Sequence, residues 1–453
     1  MRQCIDYLIE RDEDWLIGCN RQQLIELTQQ LYLELSQKQT APKILLTASE
    51  PVKFLAGFIA ACAARCPIFL GNPNWVRQER QQVFELVQPD IVLADGEWQI
   101  ASKDCSGDKI TDSNWIMIPT GGSSGKIRFA IHTWETLNAS VTAFSQYFQL
   151  QQIDSFCILP LYHVSGLMQF MRSLLTRGKL TIWQLKHIEN SNFSNINPED
   201  FFISLVPTQL QRLLQNPTST AWLAQFSTVL LGGAPAWQEL LETARQNKIK
   251  LALTYGMTET ASGIAILKPQ DFLQGENNCG QILPHTQIQI YSNTDKQLTQ
   301  NQIGNIIINC QSLALGYYPE QFKNPNRFKL DDIGFIDNKG NLNIVGRSSR
   351  KIITGGENVY PEEIETAIRA TNLVKDICII GVEDSTWGQA ITAVYVKSQE
   401  NITPNTIQAA IKDKLSKYKQ PKHWISLNSL PRNLQGKLNY TYITEIATTT
   451  LLN

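Results

Sequence analysis

Residues 118–128 read Ile118-Pro-Thr-Gly-Gly-Ser-Ser-Gly-Lys-Ile-Arg128 and directly follow an apolar run that predicts a strand. A loop so rich in glycine, hydroxyl groups and cations can turn successive backbone N–H groups toward one anion. It departs from the common nucleotide loop G-x-x-x-x-G-K-[ST], because Thr120 replaces the first glycine and Ile127 replaces the Ser or Thr. The stretch favours a polyphosphate-binding loop, and a flexible surface turn is the alternative.

The bulk composition narrows the class of protein. The chain has 453 residues, 43% hydrophobic and 18% charged, and a formal net charge of -1. This length predicts two or more domains. The balanced charge gives no excess of positive charge of the kind that binds nucleic acid or an anionic membrane. The N-terminus lacks the layout of a secretory signal, the most apolar segment is too short to span a bilayer, and nine scattered cysteines make no disulfide framework. We expect a cytoplasmic protein with neither a nucleic-acid partner nor a membrane span.

The chain shows two kinds of local pattern. From about residue 42 to 256, short β-branched runs alternate with helical stretches, the clearest at 134–147, 167–175, 208–214 and 237–246. Such alternation indicates parallel sheets with crossover helices, whose ligands bind beyond the carboxyl ends of the strands. Strands with tight turns follow at 279–346, and then helices 361–370 and 406–418 accompany strands 377–382 and 390–396.

These patterns predict an α/β fold with two domains. The larger, residues 1–347, would combine parallel-type sheets and crossover helices with a small β-barrel-like part. The smaller, residues 350–453, would be a mobile α+β domain at the C-terminus.

Five further loops carry residues suited to chemistry. Glu259 beside Thr258 offers a hard oxygen ligand for Mg²⁺, and the glycines after residue 231 would let a flat ring lie against the backbone. Taken singly, each loop could be structural. The loops are Leu231-Gly-Gly-Ala-Pro235, Thr254-Tyr-Gly-Met-Thr-Glu-Thr260, Asp332-Ile-Gly334 with Gly346-Arg347, Lys351-Ile-Ile-Thr-Gly-Gly-Glu-Asn-Val-Tyr-Pro-Glu-Glu363 and Pro431-Arg-Asn-Leu-Gln-Gly-Lys437.

In this order, the six loops resemble those of the adenylate-forming superfamily of acyl-CoA synthetases, luciferases and adenylation domains. The family patterns are T-S-G-T-T-G-x-P-K, Y-G-x-T-E, T-G-D, G-R followed by G-x-x-x-x-P-x-E-I-E, and P-x-x-x-x-G-K. Within the superfamily, the segments Leu159-Pro-Leu-Tyr-His-Val-Ser-Gly166 and Val206-Pro-Thr-Gln-Leu-Gln-Arg212 are similar to those of the o-succinylbenzoate–CoA ligases of menaquinone and phylloquinone biosynthesis. Ligases for other aromatic or short to medium-chain acids, a stand-alone adenylation protein and a nucleotide-binding scaffold are the alternatives.

The resemblance implies a reaction in two halves that uses ATP, Mg²⁺ and coenzyme A. A carboxylate attacks the α-phosphate of ATP, and the thiol of coenzyme A then displaces AMP from the acyl adenylate. Arg128 stands where the family has lysine, and Phe129 where it has glycine. The residues expected to hold the β- and γ-phosphates are Thr120, Gly121, Gly122, Ser123, Ser124 and Gly125, with Arg128 as their cation.

The other site residues follow from the same resemblance. Glu259 would ligate Mg²⁺, Thr258 would contact the α-phosphate, and Lys437 would bridge the carboxylate and the α-phosphate. After adenylation the small domain would swing about Ser349, which replaces the usual Asp or Lys of the hinge. The residues implied for adenine are Gly233, Ala234, Pro235, Tyr255 and Gly256; for ribose, Asp332 with Arg347 nearby; and for pantetheine, Gly355 and Gly356.

The acid itself has three candidate contacts: His163, Arg212 and Ser262. A substrate with a second carboxylate needs a cation or a water-bridged donor, and Arg212 lies one helical turn beyond Pro207-Thr208. A surface arginine and a packed core histidine are the alternatives for Arg212 and His163. Asp331 is interpreted as a surface residue of a turn.

Overall fold

Short apolar strands alternate with helices through the first half of this computed structural model, as the sequence pattern predicts. The structure describes residues 3–11, 13–95, 99–100, 114–121, 127–185, 197–324, 326–354, 357–384, 387–432 and 437–452. The described helices are α1 Gln3–Ile9, α2 Arg21–Ser36, α3 Pro51–Ala63, α4 Arg77–Val87, α5 Trp134–Phe148, α6 Val164–Leu175, α7 Pro207–Leu214, α8 Pro217–Leu223, α9 Gln238–Gln246, α10 Pro269–Leu273, α11 Pro361–Arg369, α12 Pro404–Ile411 and α13 Tyr440–Leu452.

The strands are short in the first half of the chain and longer near the C-terminus. They are β1 Leu16–Ile17, β2 Ile44–Leu46, β3 Ile68–Leu70, β4 Ile91–Leu93, β5 Gln99–Ile100, β6 Ile116–Gly121, β7 Ile127–His132, β8 Asp154–Cys157, β9 Leu180–Ile182, β10 Phe201–Leu205, β11 Thr228–Leu231, β12 Leu251–Met257, β13 Ser262–Ile266, β14 Gln281–Ile282, β15 Thr286–Tyr291, β16 Gly304–Cys310, β17 Gly316–Tyr317, β18 Glu320–Gln321, β19 Phe328–Ile336, β20 Leu342–Arg347, β21 Ile352–Thr354, β22 Glu357–Val359, β23 Val374–Asp384, β24 Gly388–Lys397 and β25 His423–Ser426.

One eight-stranded sheet has the order β1-β9-β8-β10-β11-β12-β13-β14. Its strands are parallel from β1 through β12, and β13 and β14 then add antiparallel. Proline at the first position begins α7 and α8, where a missing N–H costs nothing and the fixed φ suits a helix. The parallel pairing from β1 through β12, with helices α6 to α9 between its strands, confirms the predicted parallel sheet with crossover helices.

The second eight-stranded sheet has the order β18-β17-β7-β6-β3-β2-β4-β5. Both faces of its parallel strands are buried, since Ile44 and Leu46 pack into one apolar cluster and Leu45 into another. Burial on both sides explains why these strands are continuous apolar runs without alternating polar residues. The fold class predicted from the sequence, with its large N-terminal sheet domain and smaller C-terminal domain, is confirmed.

A four-stranded sheet, β15-β16-β19-β20, and a five-stranded sheet of β21 to β25 follow in the chain. The chain divides into two compact units, the first comprising residues 1–234, 245–287 and 309–328, and the second residues 235–244, 288–308 and 329–453. The second unit thus takes in segments 288–308 and 329–347, which the sequence analysis assigned to the larger domain. The boundary at residues 347–350 stays a prediction.

One predicted helix ends early, and part of one predicted loop is strand. The helix predicted at 406–418 ends at Ile411, because the Gln420 side-chain amide donates to the carbonyls of Lys412 and Leu415 and so supports a separate turn. Residues 118–121 and 127–128 of the predicted loop belong to strands β6 and β7, which pair antiparallel with Thr120 opposite Arg128. No helix among the described residues is long and apolar enough to cross a membrane.

Phe129 explains one departure from the family pattern. Its side chain is fully buried, and its ring meets Phe69 edge to face at 5.2 Å and Trp75 at 6.4 Å between centroids. The family glycine at this position is therefore replaced here by a core residue of the second sheet.

A buried polar chain also connects distant segments of the first unit. The Ser312 hydroxyl donates to the carbonyl of Thr260 at 2.7 Å, so its oxygen must accept from His285 Nε2 at 2.9 Å. Nδ1 of His285 faces the Thr286 hydroxyl at 3.3 Å. Burial lowers the pKa of His285 to about 4, and the ring is therefore neutral at pH 7.

Phe129→Ala should lower the free energy of unfolding by about 3–5 kcal/mol, because it removes a buried ring and leaves a cavity. Urea denaturation followed by tryptophan fluorescence measures this change. Phe84→Ala is the matched control, since Phe84 is 43% exposed on α4. A Phe129 variant as stable as the Phe84 variant would contradict the core assignment.

His285 should make the fold sensitive to acid. The unfolded histidine titrates near its ordinary value of 6.5 and the folded one near 4, so between these pH values the unfolded chain binds more protons. Stability therefore falls as the pH decreases from about 6.5 to about 4. In His285→Gln the melting temperature should fall less steeply over this interval than in the native protein.

The control for that comparison is His423→Gln, on β25 and outside the polar chain. Its melting temperature should follow the native pH dependence. Parallel curves for native protein and His285→Gln would show that His285 contributes nothing to the acid sensitivity.

Candidate active site

Several predicted site residues lie at one edge of the first sheet. Strands β10, β11 and β12 are parallel neighbours, so the segments that follow them begin at the same carboxyl edge. Gly233, in the turn after β11, has a φ of +80° that favours glycine, and Ala234 and Pro235 beside it are exposed. Tyr255 is half-buried in β12.

Gly256 has a structural reason to be glycine. A Cβ at this position would lie 2.0 Å from the carbonyl oxygen of Ser262, on the neighbouring strand β13. The absence of a side chain lets β12 and β13 approach closely around the turn at 258–261. Its predicted contact with adenine stays a prediction.

The turn at 258–261 is held by hydrogen bonds to four consecutive carbonyl oxygens. The donors come from β7, from α5 and from the segment before β17, all distant in sequence. They are His132 Nε2 to Thr258 at 2.8 Å, Ala314 N to Glu259 at 2.7 Å, Ser312 Oγ to Thr260 at 2.7 Å and Ser140 Oγ to Ala261 at 2.7 Å. The position of the Glu259 backbone is thus fixed from several sides.

His132 takes part in this turn as a neutral ring. Its side chain is fully buried, and burial lowers its pKa to about 4. Because the Thr258 carbonyl can only accept, Nε2 carries the proton and Nδ1 accepts from the Thr136 hydroxyl at 3.1 Å. This contact gives His132 a structural role in the turn.

Glu259 is 8% exposed, and its carboxylate accepts a hydrogen bond from the Tyr317 hydroxyl to Oε1 at 2.6 Å. The Arg128 guanidinium lies over the Tyr317 ring, 4.2 Å from its centroid. Burial and the neighbouring carboxylate both raise the pKa of Tyr317, which therefore stays protonated as the donor. Tyr317 was missed from the sequence, although it stands in the conspicuous run Gly316-Tyr-Tyr-Pro319.

This carboxylate fits the predicted role of Glu259 as a Mg²⁺ ligand. It is a buried hard oxygen donor on a rigid turn, and a hydrogen bond already orients it. Among the described residues no group of three or more His, Cys, Asp or Glu side chains could hold a metal by itself. Glu259 would therefore share the ion with ligand oxygens.

The predicted phosphate loop is described only at its two ends. Thr120 is half-buried near the end of β6, opposite the exposed Arg128 on β7. The strand includes Gly121, and the next residues, Gly122, Ser123, Ser124 and Gly125, lie outside the described residues.

The candidates for acid binding comprise two half-buried residues, His163 and Ser262, and the exposed Arg212. His163 caps α6 and its ring contacts Tyr162, whereas Arg212 lies on an exposed face of α7. Ser262 has a φ of +100° and accepts from the guanidinium of Arg172 at 2.9 Å. The half-buried Ser262 thus has a buried arginine as its partner, which the sequence analysis did not predict.

Arg172 is that unforeseen cation. It is 5% exposed on α6, its guanidinium lies 4.1 Å over the Phe144 ring, and its Nε has no hydrogen-bond partner among the described residues. Burial lowers its pKa to about 10, which leaves it charged at pH 7. Its burial and its contact with Ser262, both set by the tertiary structure, distinguish it from the exposed helix residue Arg212.

The second unit carries the remaining predicted residues. Asp332 and Arg347 pair across β19 and β20 at 3.3 Å, with the Asp332 side chain 13% exposed. Asp331, which the sequence analysis interpreted as a surface residue, accepts from the backbone N–H of Ser349 at 2.9 Å and from its hydroxyl. Lys437 is exposed, and Gly355 and Gly356 lie outside the described residues.

Comparison with known proteins identifies the family of this chain. The AMP-binding enzyme family matches residues 108–318, and the AMP-binding enzyme C-terminal domain matches residues 363–437. A 2-succinylbenzoate–CoA ligase of Enterococcus faecalis is 30% identical over 332 residues, which are 72% of this chain and 68% of that protein. One from Oceanobacillus iheyensis is 32% identical over 339 residues with the same coverage.

Solved structures show the same fold. The o-succinylbenzoate CoA synthetase of Bacillus subtilis, in complex with its acyl-adenylate intermediate, has a TM-score of 0.82 at 23% identity, covering 98% of this chain and 97% of that chain. ATP-bound MatB from Rhodopseudomonas palustris has a TM-score of 0.82 at 21% identity, covering 98% of each chain. The six loops of this chain occur in the same order along the sequence as the motifs of the adenylate-forming superfamily. The chain therefore belongs to the family of AMP-binding, adenylate-forming enzymes.

Proposed function

We propose that this enzyme is an AMP-forming acyl-CoA ligase for 2-succinylbenzoate. It would convert 2-succinylbenzoate, ATP and coenzyme A into 2-succinylbenzoyl-CoA, AMP and diphosphate, a step of menaquinone or phylloquinone biosynthesis in the cytoplasm. The observation that carries the reaction class is the buried Glu259 carboxylate, fixed at the carboxyl edge of a parallel sheet in a chain of this family. The choice of acid is supported by the similarity to 2-succinylbenzoate–CoA ligases.

The first half-reaction brings a carboxylate to a triphosphate, so the protein must position two anions and neutralise their repulsion. Mg²⁺ held by Glu259 would supply charge to the phosphate oxygens. Arg128 and Thr120 would contact the same phosphates from the ends of their hairpin, and Thr258 would contact the α-phosphate. Lys437 would provide the second cation, between the attacking carboxylate and the α-phosphate.

Nucleotide specificity would rest on polar and flat surfaces rather than on charge. The open backbone at Gly233, with Ala234, Pro235, Tyr255 and Gly256, would receive adenine, and Asp332 would accept from the ribose hydroxyls. The Arg347 guanidinium, 3.3 Å from Asp332 Oδ1, would orient that carboxylate toward the ribose.

The second half-reaction transfers the acyl group to the thiol of coenzyme A and releases AMP. Gly355 and Gly356 would line the path of pantetheine after a rotation about Ser349. That rotation would break the two hydrogen bonds that Ser349 donates to Asp331, because both depend on the position of the Ser349 backbone.

A second carboxylate on the acid calls for a counter-charge, and Arg172 is the buried cation suited to it. Its contact with Ser262 would present both a cation and a hydroxyl to the succinyl carboxylate, directly or through water. His163, at the beginning of the same helix, would contact the acid from the other end of α6. Arg212 remains a candidate at the surface.

The test of the function is pyrophosphate release over a panel of aromatic and aliphatic acids, with and without coenzyme A. Acid-dependent release and thioester formation only with 2-succinylbenzoate would support the proposal, and Lys437→Ala would serve as the impaired reference enzyme. Thioester formation with another acid would favour a different ligase. Pyrophosphate release without thioester formation would favour an adenylation protein with a carrier-protein partner. Absence of release with every acid would favour a nucleotide-binding scaffold.

Arg172→Gln should lower kcat/KM for 2-succinylbenzoate by about 10- to 100-fold, because a charge-assisted hydrogen bond in a buried site is lost. With benzoate, which lacks the second carboxylate, kcat/KM of the variant should fall much less. A general packing defect would instead lower kcat/KM equally for both acids. Steady-state kinetics with the two acids measures this difference.

The matched variant is Arg212→Gln, which removes the same charge from the exposed face of α7. This variant should change kcat/KM for either acid by no more than about twofold, as expected of a solvated cation. A selective loss with Arg212→Gln and none with Arg172→Gln would transfer the recognition role to Arg212.

A further inference from the structure

Three side chains form a short column in the first unit, with Tyr317 at its centre. The phenol hydroxyl donates to Glu259 Oε1 at 2.6 Å, and the phenol ring lies under the Arg128 guanidinium at 4.2 Å. One aromatic residue therefore touches both the candidate metal ligand and the candidate phosphate cation. Nothing in the resemblance to the family assigned a role to it.

The backbone around Tyr317 holds the ring in this place. Ala314 N donates to the carbonyl of Glu259 at 2.7 Å, and Leu315 N and Tyr318 N donate to carbonyls of β7 at 2.7 and 2.9 Å. Tyr317 itself pairs with Ala130, two residues along β7 from Arg128. The short strand β17 is thus attached both to the metal-ligand turn and to the strand that carries the cation.

The neighbouring rings limit the motion of the phenol further. Phe322 meets the Tyr317 ring edge to face at 5.4 Å, and Phe322 in turn contacts Phe328 at 4.8 Å. The Tyr317 ring, restrained by this contact, presents its hydroxyl to Glu259 and its face to Arg128 at the same time. These two contacts use different parts of the phenol, so they can be separated by substitution.

We propose that Tyr317 is a positioning residue for both groups. Its hydroxyl donates to Oε1 of Glu259, so that Oε2, which accepts no hydrogen bond from a described residue, would be left to hold the metal. Its ring face holds the planar guanidinium of Arg128, where stacking suits an arginine better than the lysine of the family. This inference rests on the proposed function for the identity of the metal–nucleotide ligand.

The hydroxyl is tested by Tyr317→Phe, which keeps the ring and removes the donor. The measurement is equilibrium binding of Mn²⁺ to the full chain with a non-hydrolysable ATP analogue, followed by the electron paramagnetic resonance signal of free Mn²⁺. We expect Mn²⁺ binding to weaken by about 10-fold, in the range typical for loss of a hydrogen bond to a ligating carboxylate. Binding of the analogue without metal should stay within about twofold of the native value, since the ring remains under Arg128.

The ring is tested by Tyr317→Leu, which removes both contacts. Besides the weaker Mn²⁺ binding, the metal-free affinity for the analogue should fall by about two- to fivefold, the size of an exposed cation–π contact. Equal metal-free affinities for the Phe and Leu variants would overturn the part of the proposal that concerns Arg128.

Tyr147→Phe is a closely matched control. Its hydroxyl also donates at 2.6 Å, to the carbonyl of Ile266, and the ammonium of Lys268 lies 4.8 Å over its ring. This variant should bind Mn²⁺ and the analogue as the native protein does. Mn²⁺ binding by Tyr317→Phe within twofold of native, or an equal loss in Tyr147→Phe, would overturn the positioning role.

The outcome is distinguishable from a failure of the proposed function, because the binding measurement needs no acid. If no acid elicits pyrophosphate release while the Tyr317 variants differ as expected, the proposed reaction fails and the positioning role stands. If the native enzyme forms the thioester while the variants bind Mn²⁺ normally, the reverse holds. A native protein without Mn²⁺-dependent nucleotide binding would overturn the inference itself.

Discussion

A buried carboxylate is the constraint on which the candidate site depends. A carboxylate without hydrogen-bond partners is costly to bury, so the position of Glu259, which is 8% exposed, depends on the groups that hold it. The fold meets this demand by fixing the four carbonyls of the turn at 258–261 and by placing Tyr317 against Oε1. The turn is thereby rigid before any ligand binds, which is what transition-state stabilisation by fixed charges requires.

The chain departs from its family where the packing compensates. Phe129 replaces glycine and becomes part of an aromatic cluster of the second sheet, next to the strand residue that carries the cation. Arg128 replaces lysine and finds a ring face to lie on. At the predicted hinge, Ser349 stands where the family has a charged residue and donates two hydrogen bonds to Asp331. Each replacement has a neighbour that accounts for the new side chain, which argues against simple loss of function.

The fold was largely predictable because its signals are local. Apolar runs of three to five residues between helical stretches indicate buried parallel strands, and proline at the first position of α7 and α11 shows where a helix begins. The end of α12 was missed because it depends on Gln420, whose side chain supports a turn several residues earlier in the chain. Likewise, the hairpin at β6 and β7 depends on strand pairing, which the glycine-rich composition of the loop conceals.

The sequence by itself determined the family, the order of the loops and the kinds of residue at the site, since these depend on spacing along the chain. The tertiary structure alone decided which polar groups meet. Tyr317 lies 58 residues from Glu259 and Arg172 lies 90 residues from Ser262, and their contacts follow from strand register and helix packing. Spacing along the chain cannot report such pairs, because a side chain's partner is set by the face on which its element is buried.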